Sequence, residues 1–186
     1  MVRLFVALPL PELQRQMLAL LAGGVPGARW SPIENFHITL TFIGSVDERV
    51  ADDIVAALDR IHAPAFDVAI RGVGVFEGKR GPRLLYAAVE ASPALLDLAA
   101  RVEGALRRLP GLDLEARRYV PHVTLARLKD VDRPRLGAFV ERNGLLAPPA
   151  WRADHFGLYS SVTGNDHSVY TLEERFELAD GGWAED

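Results

Sequence analysis

The tetrapeptide His37-Ile38-Thr39-Leu40 returns 85 residues later as His122-Val123-Thr124-Leu125, and no other feature constrains the fold as tightly. Successive side chains of an extended segment point to opposite faces, so a His and a Thr two residues apart share one side. Each copy offers an imidazole and a hydroxyl to that side. Its two aliphatic residues go to the other, where a core must receive them. The repeat reaches beyond the motifs. At the same offset Phe66 maps to Trp151, Gly72 to Gly157, and an amphipathic segment at 47–61 to one at 132–143. Upstream the offset shortens to 81–82 and pairs Phe5 with Tyr86 and Pro11 with Pro93. Such an internal repeat, approximately 2–76 and 83–177 of a single domain spanning 1–186, predicts two similar lobes about a pseudo-twofold axis. One motif strand from each lobe then faces a shared cleft.

Hydrophobic periodicity sketches the elements between these anchors. Residues 3–8 read as a buried strand. Pro11 suits the first turn of a helix with Leu13, Met17, Leu20 and Leu21 as its stripe, ended by Gly23-Gly24. An extended piece near Trp30 leads to a strand over 36–43. Its faces are His37, Thr39 and Thr41 on one side and Phe36, Ile38, Leu40 and Phe42 on the other, with Gly44 as its stop. Ser45 with Glu48 suggests a capping box for the helix at 47–61. Strands follow at 66–76 and 83–90, then a helix opened by Ser92-Pro93 that carries Leu95, Leu98, Val102, Leu106 and Leu109 on one side. A strand near 112–118 precedes the second motif strand at 122–128. The helix at 132–143 turns Leu136, Phe139 and Val140 inward. Strands at 151–160 and 168–177 join through Thr163-Gly164-Asn165-Asp166. The order is a β-α-β-β-α-β unit given twice plus a last strand. That predicts an α+β fold, with sheets lining a central cleft and helices outside.

Composition narrows the setting. At 186 residues and 49% hydrophobic, the chain can bury one substantial core. It has no cysteine, which excludes disulfides and thiolate metal sites and fits a reducing cytoplasm. The apolar stretch at the start is broken by Pro9 and lacks the pattern of a secretory signal, and no run approaches the roughly 20 apolar residues of a membrane span. A soluble cytoplasmic protein is expected. The formal charge of −4 argues against a nucleic-acid coat with a broad basic surface, while leaving room for a local cluster that grips one phosphate or one RNA end. Basic residues gather at Lys79-Arg80 with Arg83, at Arg107-Arg108, and at Arg117-Arg118 with Arg127. Most suit solvated loops and helix ends; Arg127 has the best claim to a role.

Two imidazoles and two hydroxyls around one anion suit the splitting of a phosphodiester. A neutral imidazole can take a proton from attacking water while an imidazolium donates one to the departing alkoxide, and an ordinary pKa of about 6.5 makes both forms accessible. The hydroxyls of Thr39 and Thr124 can donate to the non-bridging oxygens. No metal or cofactor is needed. A zinc site would want a third ligand, and the chain holds neither a His-Glu-x-x-His pattern nor a cysteine. Nor does it hold a Gly-x-Ser-x-Gly elbow, a P-loop or a dinucleotide fingerprint. His62, His155 and His167 read as structural or solvated.

The chain resembles the two-histidine phosphoesterases, specifically the bacterial RNA 2′,3′-cyclic phosphodiesterases, also called 2′-5′ RNA ligases. The likeness runs through Arg3–Ala7, Asn35–Gly44, Pro121–Arg127 and a closing strand that ends in Arg175-Phe176. It implies a bilobal fold with both motifs in the cleft, and opening of a terminal 2′,3′-cyclic phosphate on RNA to a 2′-phosphomonoester without metal. Some members also join RNA ends. Carried onto this chain, it makes His37 the acid that protonates the leaving 3′ oxygen and His122 the base that activates water. Thr39 and Thr124 hold the phosphate, and Arg127 is similar to a phosphate-contacting arginine. Simple alternation, however, turns Arg127 away from His122, so that role needs a strand end or a bulge. An exposed aromatic by the cleft would serve to stack a base; Phe5 and Tyr86 are positioned for it, although strand burial competes. The expected partner is an RNA end bearing a cyclic phosphate, tRNA halves among them, met by a monomer away from membranes. Small cyclic nucleotides or 2′-5′ oligonucleotides are alternative substrates, and a non-catalytic RNA-end binding module is the alternative from another class.

Overall fold

The two motif strands touch at one residue pair, Ile38 opposite Val123, and the rest of the molecule is arranged about that contact. The computed structural model describes residues 1–115, 118–164 and 167–179. In chain order the elements are β1 (Val2–Pro9), α1 (Glu12–Ala19), β2 (Ala28–Trp30), β3 (His37–Val46), α2 (Glu48–Leu58), β4 (Phe66–Val68) and β5 (Ile70–Gly78). There follow β6 (Gly81–Val89), α3 (Pro93–Arg107), β7 (His122–Leu128), α4 (Arg133–Arg142), β8 (Trp151–Ala153), β9 (His155–Thr163) and β10 (Ser168–Glu177). The large sheet is antiparallel in the order β10-β9-β1-β3-β7-β6-β5, with β2 on the far end of β7. The fold is α+β.

Read with the offsets of the sequence, β5 corresponds to β9, β1 to β6 and β3 to β7. The order β9-β1-β3-β7-β6-β5 is therefore the same from either end. At its middle, Ile38 and Val123 are equivalent motif positions. Away from the sheet, β4 pairs with β8 so that Asp67 faces Arg152, again two positions 85 apart. Equivalent residues facing each other at two places mark a local twofold axis. The spatial halves are not the sequence halves, however. β9 comes from late in the chain and pairs with β1, while β5 comes early and pairs with β6. The cause is local: β5 and β6 are joined through only Lys79-Arg80, with Gly81 at φ +115°, and so tight a hairpin must pair with itself.

One core serves both halves. Ile38, Leu85, Ala87 and Val123 are sealed beneath the sheet, and Leu95, Leu98, Val102 and Leu106 on α3 pack there as their spacing predicts. Ser92 caps α3 by accepting from the Leu95 N–H, with Pro93 in the first turn.

Several expectations give way. In α1 the buried residues are Gln14 and Leu18, while Leu13 and Leu20 are exposed. The expected stripe is wrong because Gln14 donates to the Pro149 carbonyl at 2.9 Å, which makes a polar side chain an acceptable inward residue. Gly44 does not stop β3, which runs on to Val46; Ser45 thus lies in the strand, and Asp47 precedes α2 without a side-chain cap. Residues 112–115 and 118–120 form no strand; 116 and 117, Arg117 included, lie outside the described residues. Leu114 is buried between exposed Asp113 and Glu115, and that alternation imitates a strand although none of the described residues pairs with it as one. The strands expected at 66–76 and 151–160 are each broken, at Ala69 and Asp154, where the chain leaves the β4–β8 pair for the large sheet. Of the turn at 163–166, Asn165 and Asp166 lie outside the described residues.

Candidate active site

β3 and β7 run in opposite directions from the Ile38–Val123 bridge. With those two side chains buried beneath, His37 and Thr39 on one strand and His122 and Thr124 on the other take the opposite, cleft-side face. In such a register His37 lies across from Thr124 and Thr39 across from His122. The two histidines sit diagonally, their backbone positions roughly 7–8 Å apart.

Both rings are oriented in the same way. His37 Nδ1 donates to the Asn35 carbonyl at 2.8 Å, and His122 Nδ1 donates to the Val120 carbonyl at 2.7 Å. A carbonyl can only accept, so Nδ1 carries hydrogen in each ring and Nε2 is the basic nitrogen of the neutral ring. His37 Nε2 lies 3.1 Å from Thr39 Oγ1 and accepts its hydroxyl hydrogen when the ring is neutral. Aromatic rings brace both histidines. Phe5 and Tyr170 stand 4.9 and 5.2 Å from His37, and Phe76 and Tyr86 stand 5.0 and 5.6 Å from His122. Enclosure in this way lowers the His37 pKa to about 4; loss of water is the main cause, the Asn35 carbonyl opposes it and the nearby His122 adds to it. In the free protein at neutral pH, His37 is uncharged.

Arg127 reaches the cleft by a bulge. Along β7, Leu85 faces Ala126 but Tyr86 faces Thr124, so Leu125 is an extra residue. Leu125 and Ala126 are consequently both buried, the alternation changes phase, and Arg127 emerges on the side of Thr124. The same happens in β3, where Val6 faces Thr41 and Ala7 faces Thr39, leaving Leu40 extra. Phe42, expected toward the core, is 45% exposed on the cleft side for this reason. Arg127 and Phe42 stand five residues after their respective histidines, a cation at one end of the cleft and an aromatic ring at the other.

Two cavities adjoin across Thr39 and Phe42. The larger, about 440 Å³, holds His37, Thr124 and Arg127 and also Arg3, Arg29 and His167. The smaller, about 250 Å³, is lined by His122 with Phe76, Leu114, Arg118 and Tyr119. Burial pushes the Tyr119 phenol up, so it stays neutral. Among the described residues no three His, Asp or Glu side chains come together as a metal-binding group, and no helix is long and apolar enough to cross a membrane.

The sequence profile of the LigT-like phosphoesterases matches this chain twice in succession, over residues 8–86 and 88–170. The chain belongs to that family. Among similar curated proteins, an RNA 2′,3′-cyclic phosphodiesterase of Thermus thermophilus is 34% identical, with 95% of this chain and 90% of that protein covered. One of the same description from Aeropyrum pernix is 40% identical over 80% of this chain and 85% of its own length. The fold of the LigT-like phosphoesterases is matched in solved structures as well. E. coli LigT in complex with 3′-AMP gives a TM-score of 0.77 at 24% identity, covering 96% of this chain and 99% of that one.

Within this LigT-like phosphoesterase, sequence reasoning missed several residues that line the cleft. Phe42 was hidden by the bulge. Tyr170 and His167 come from the β9–β10 hairpin, and a hairpin from the far end of the sequence carries no local signal of where it docks. Arg29 was passed over because β2 is three residues long; it faces Arg127 across the β2–β7 ladder. Phe5 and Tyr86 serve as supports for the histidines, with Phe5 only 3% exposed. His62 lines a separate groove between α2 and α3, and His155 bonds Asp154.

Proposed function

We propose that this chain hydrolyses RNA 2′,3′-cyclic phosphate ends to 2′-phosphomonoesters, with its two histidines as acid and base. The observation that carries the reading is the pair of imidazoles oriented alike about the Ile38–Val123 bridge, each held through Nδ1 by a backbone carbonyl and each followed two residues later in its strand by a threonine. The terminal nucleotide occupies the larger cavity, which has the room, the arginines and the exposed Phe42 ring for a base. Its phosphate lies between the Thr39 and Thr124 hydroxyls, with Arg127 opposite its charge. Water enters from the smaller cavity.

In-line displacement requires the nucleophile and the leaving group on opposite sides of phosphorus. His122 lines the water side, so its Nε2 takes a proton from water as the oxygen bonds to phosphorus. His37 lines the nucleotide side. As the P–O3′ bond breaks, its Nε2–H protonates O3′, and the phosphate stays on O2′. A ring that is neutral in the free protein must gain this proton when the anionic substrate arrives, since a neighbouring negative charge raises an imidazole pKa. The scheme uses only side chains of the chain itself. We place it on RNA ends such as tRNA halves, carried out by a monomer in the cytoplasm.

A cavity of about 250 Å³ beside His122 exceeds the ~30 Å³ share of one water. It admits the 5′-hydroxyl of a second RNA end as an alternative nucleophile, and 2′-5′ joining follows by the same proton transfers. The test is direct. An RNA ending in a 2′,3′-cyclic phosphate, incubated with the protein and EDTA, is expected to yield a 2′-phosphate. A 3′-phosphate product, or no reaction, contradicts the reading.

A further inference from the structure

We propose that Arg3 binds a second phosphate, the phosphodiester that joins the terminal nucleotide to the rest of the RNA, so that the enzyme prefers an oligonucleotide to a cyclic mononucleotide. This rests on the phosphodiesterase reading above and concerns what else the same cleft holds.

A 2′,3′-cyclic phosphate carries a single negative charge, and the threonines with Arg127 answer it. The cleft has more cation than that. Arg3 lines the same cavity from β1, at the Phe42 end rather than the Arg127 end, in a chain whose formal charge is −4. Its guanidinium carbon lies 4.9 Å from the centre of the Phe42 ring, a cation–π contact that fixes where the charge sits. That location is set by the strand ladder. Ala7 faces Thr39, and Phe5 faces Phe42; Arg3 is two residues further along β1. At ~3.3 Å per residue its backbone is roughly 13 Å from the position facing the reacting phosphate, and the side chain covers part of that distance by leaning on Phe42. One nucleotide therefore bridges the two. With the terminal base on Phe42, the next phosphate upstream falls beside Arg3. A guanidinium suits it, since planar paired donors match two phosphate oxygens.

Three substrates and three proteins test this. The substrates are 2′,3′-cyclic AMP, a diadenosine dinucleotide ending in a cyclic phosphate, and the same dinucleotide with an uncharged methylphosphonate link, each assayed at fixed salt with the wild type, Arg3→Gln and Arg3→Lys. The wild type is expected to show kcat/KM about tenfold higher for the charged dinucleotide than for either other substrate. In Arg3→Gln the ratio between the charged and uncharged dinucleotides falls to near one, and Arg3→Lys restores part of it. A merely structural Arg3 would lower all three rates and leave the ratio alone. Equal rates in the wild type, or a preference that survives Arg3→Gln, overturn the proposal. Hydrolysis of none of the three removes it together with the reading it rests on.

Discussion

His37 carries the clearest electrostatic signature among the site residues. Its ring is enclosed by Phe5 and Tyr170, and that enclosure depresses its pKa to about 4. If His37 is the acid, as proposed, it has to acquire its proton with the substrate. The sign follows from linkage: if the complex has the higher pKa, binding takes up a proton at any pH between the two values, and affinity weakens as pH rises across that window. Calorimetry in buffers of different ionisation enthalpy can count the proton. In a His122→Asn variant, which should bind a cyclic-phosphate dinucleotide with little turnover, net uptake is expected to approach one proton near pH 6. Binding without uptake would leave His37 neutral in the complex and assign it the base's part. The placement of both histidines on one face of the sheet was legible in the repeated motif. The depressed pKa of His37 was not, because its enclosure comes from rings on β1 and β10 that are distant in sequence.

At the scale of elements, bulges decide what the cleft contains. Period-2 alternation places His37, Thr39, His122 and Thr124 correctly and then fails, because one extra residue at Leu40 and one at Leu125 invert the side chains that follow, until in β3 a second extra residue at Ile43 restores the phase. A bulge depends on which strand pairs alongside, and nothing in His-x-Thr-Leu announces it. Helices were more legible: α3 shows its buried face and its Ser92 cap in the sequence, whereas α1 hides a buried glutamine whose partner is 135 residues away. Two equivalent glycines give a testable contrast. Gly72 has φ +75°, and a Cβ there would meet the Gly144 carbonyl oxygen at 2.7 Å. Its equivalent, Gly157, would meet the side chains of Leu172 and Tyr159. Side chains can rotate away and a backbone carbonyl cannot. Gly72→Ala should therefore cost about 2 kcal/mol or more, a fall in Tm of roughly 4–8 °C, and Gly157→Ala clearly less. Equal losses in thermal unfolding would contradict this.

For the whole molecule, the twofold relation explains why two histidines 85 residues apart come to the same face at the centre of the sheet. Equivalent positions meet at Ile38–Val123 and at Asp67–Arg152, so whatever one motif strand points into the cleft, the other points at it from the opposite side. We propose that the sequence halves 2–76 and 83–177 descend from one duplicated unit that exchanged its outer strands. The offsets showed the equivalence; the exchange was invisible in them, since it follows from the tight β5–β6 hairpin and from β9 pairing with β1. In the proposed mechanism both imidazoles act on one phosphorus atom in one step, and kcat/KM on a cyclic-phosphate RNA for His37→Ala, His122→Ala and the double variant shows whether they do. Each single change is expected to cost on the order of 10² to 10⁴, and the double little more than the worse single, because groups that work as a unit are lost together. A double variant whose loss equals the product of the two singles, or a single variant near wild-type activity, would contradict the account.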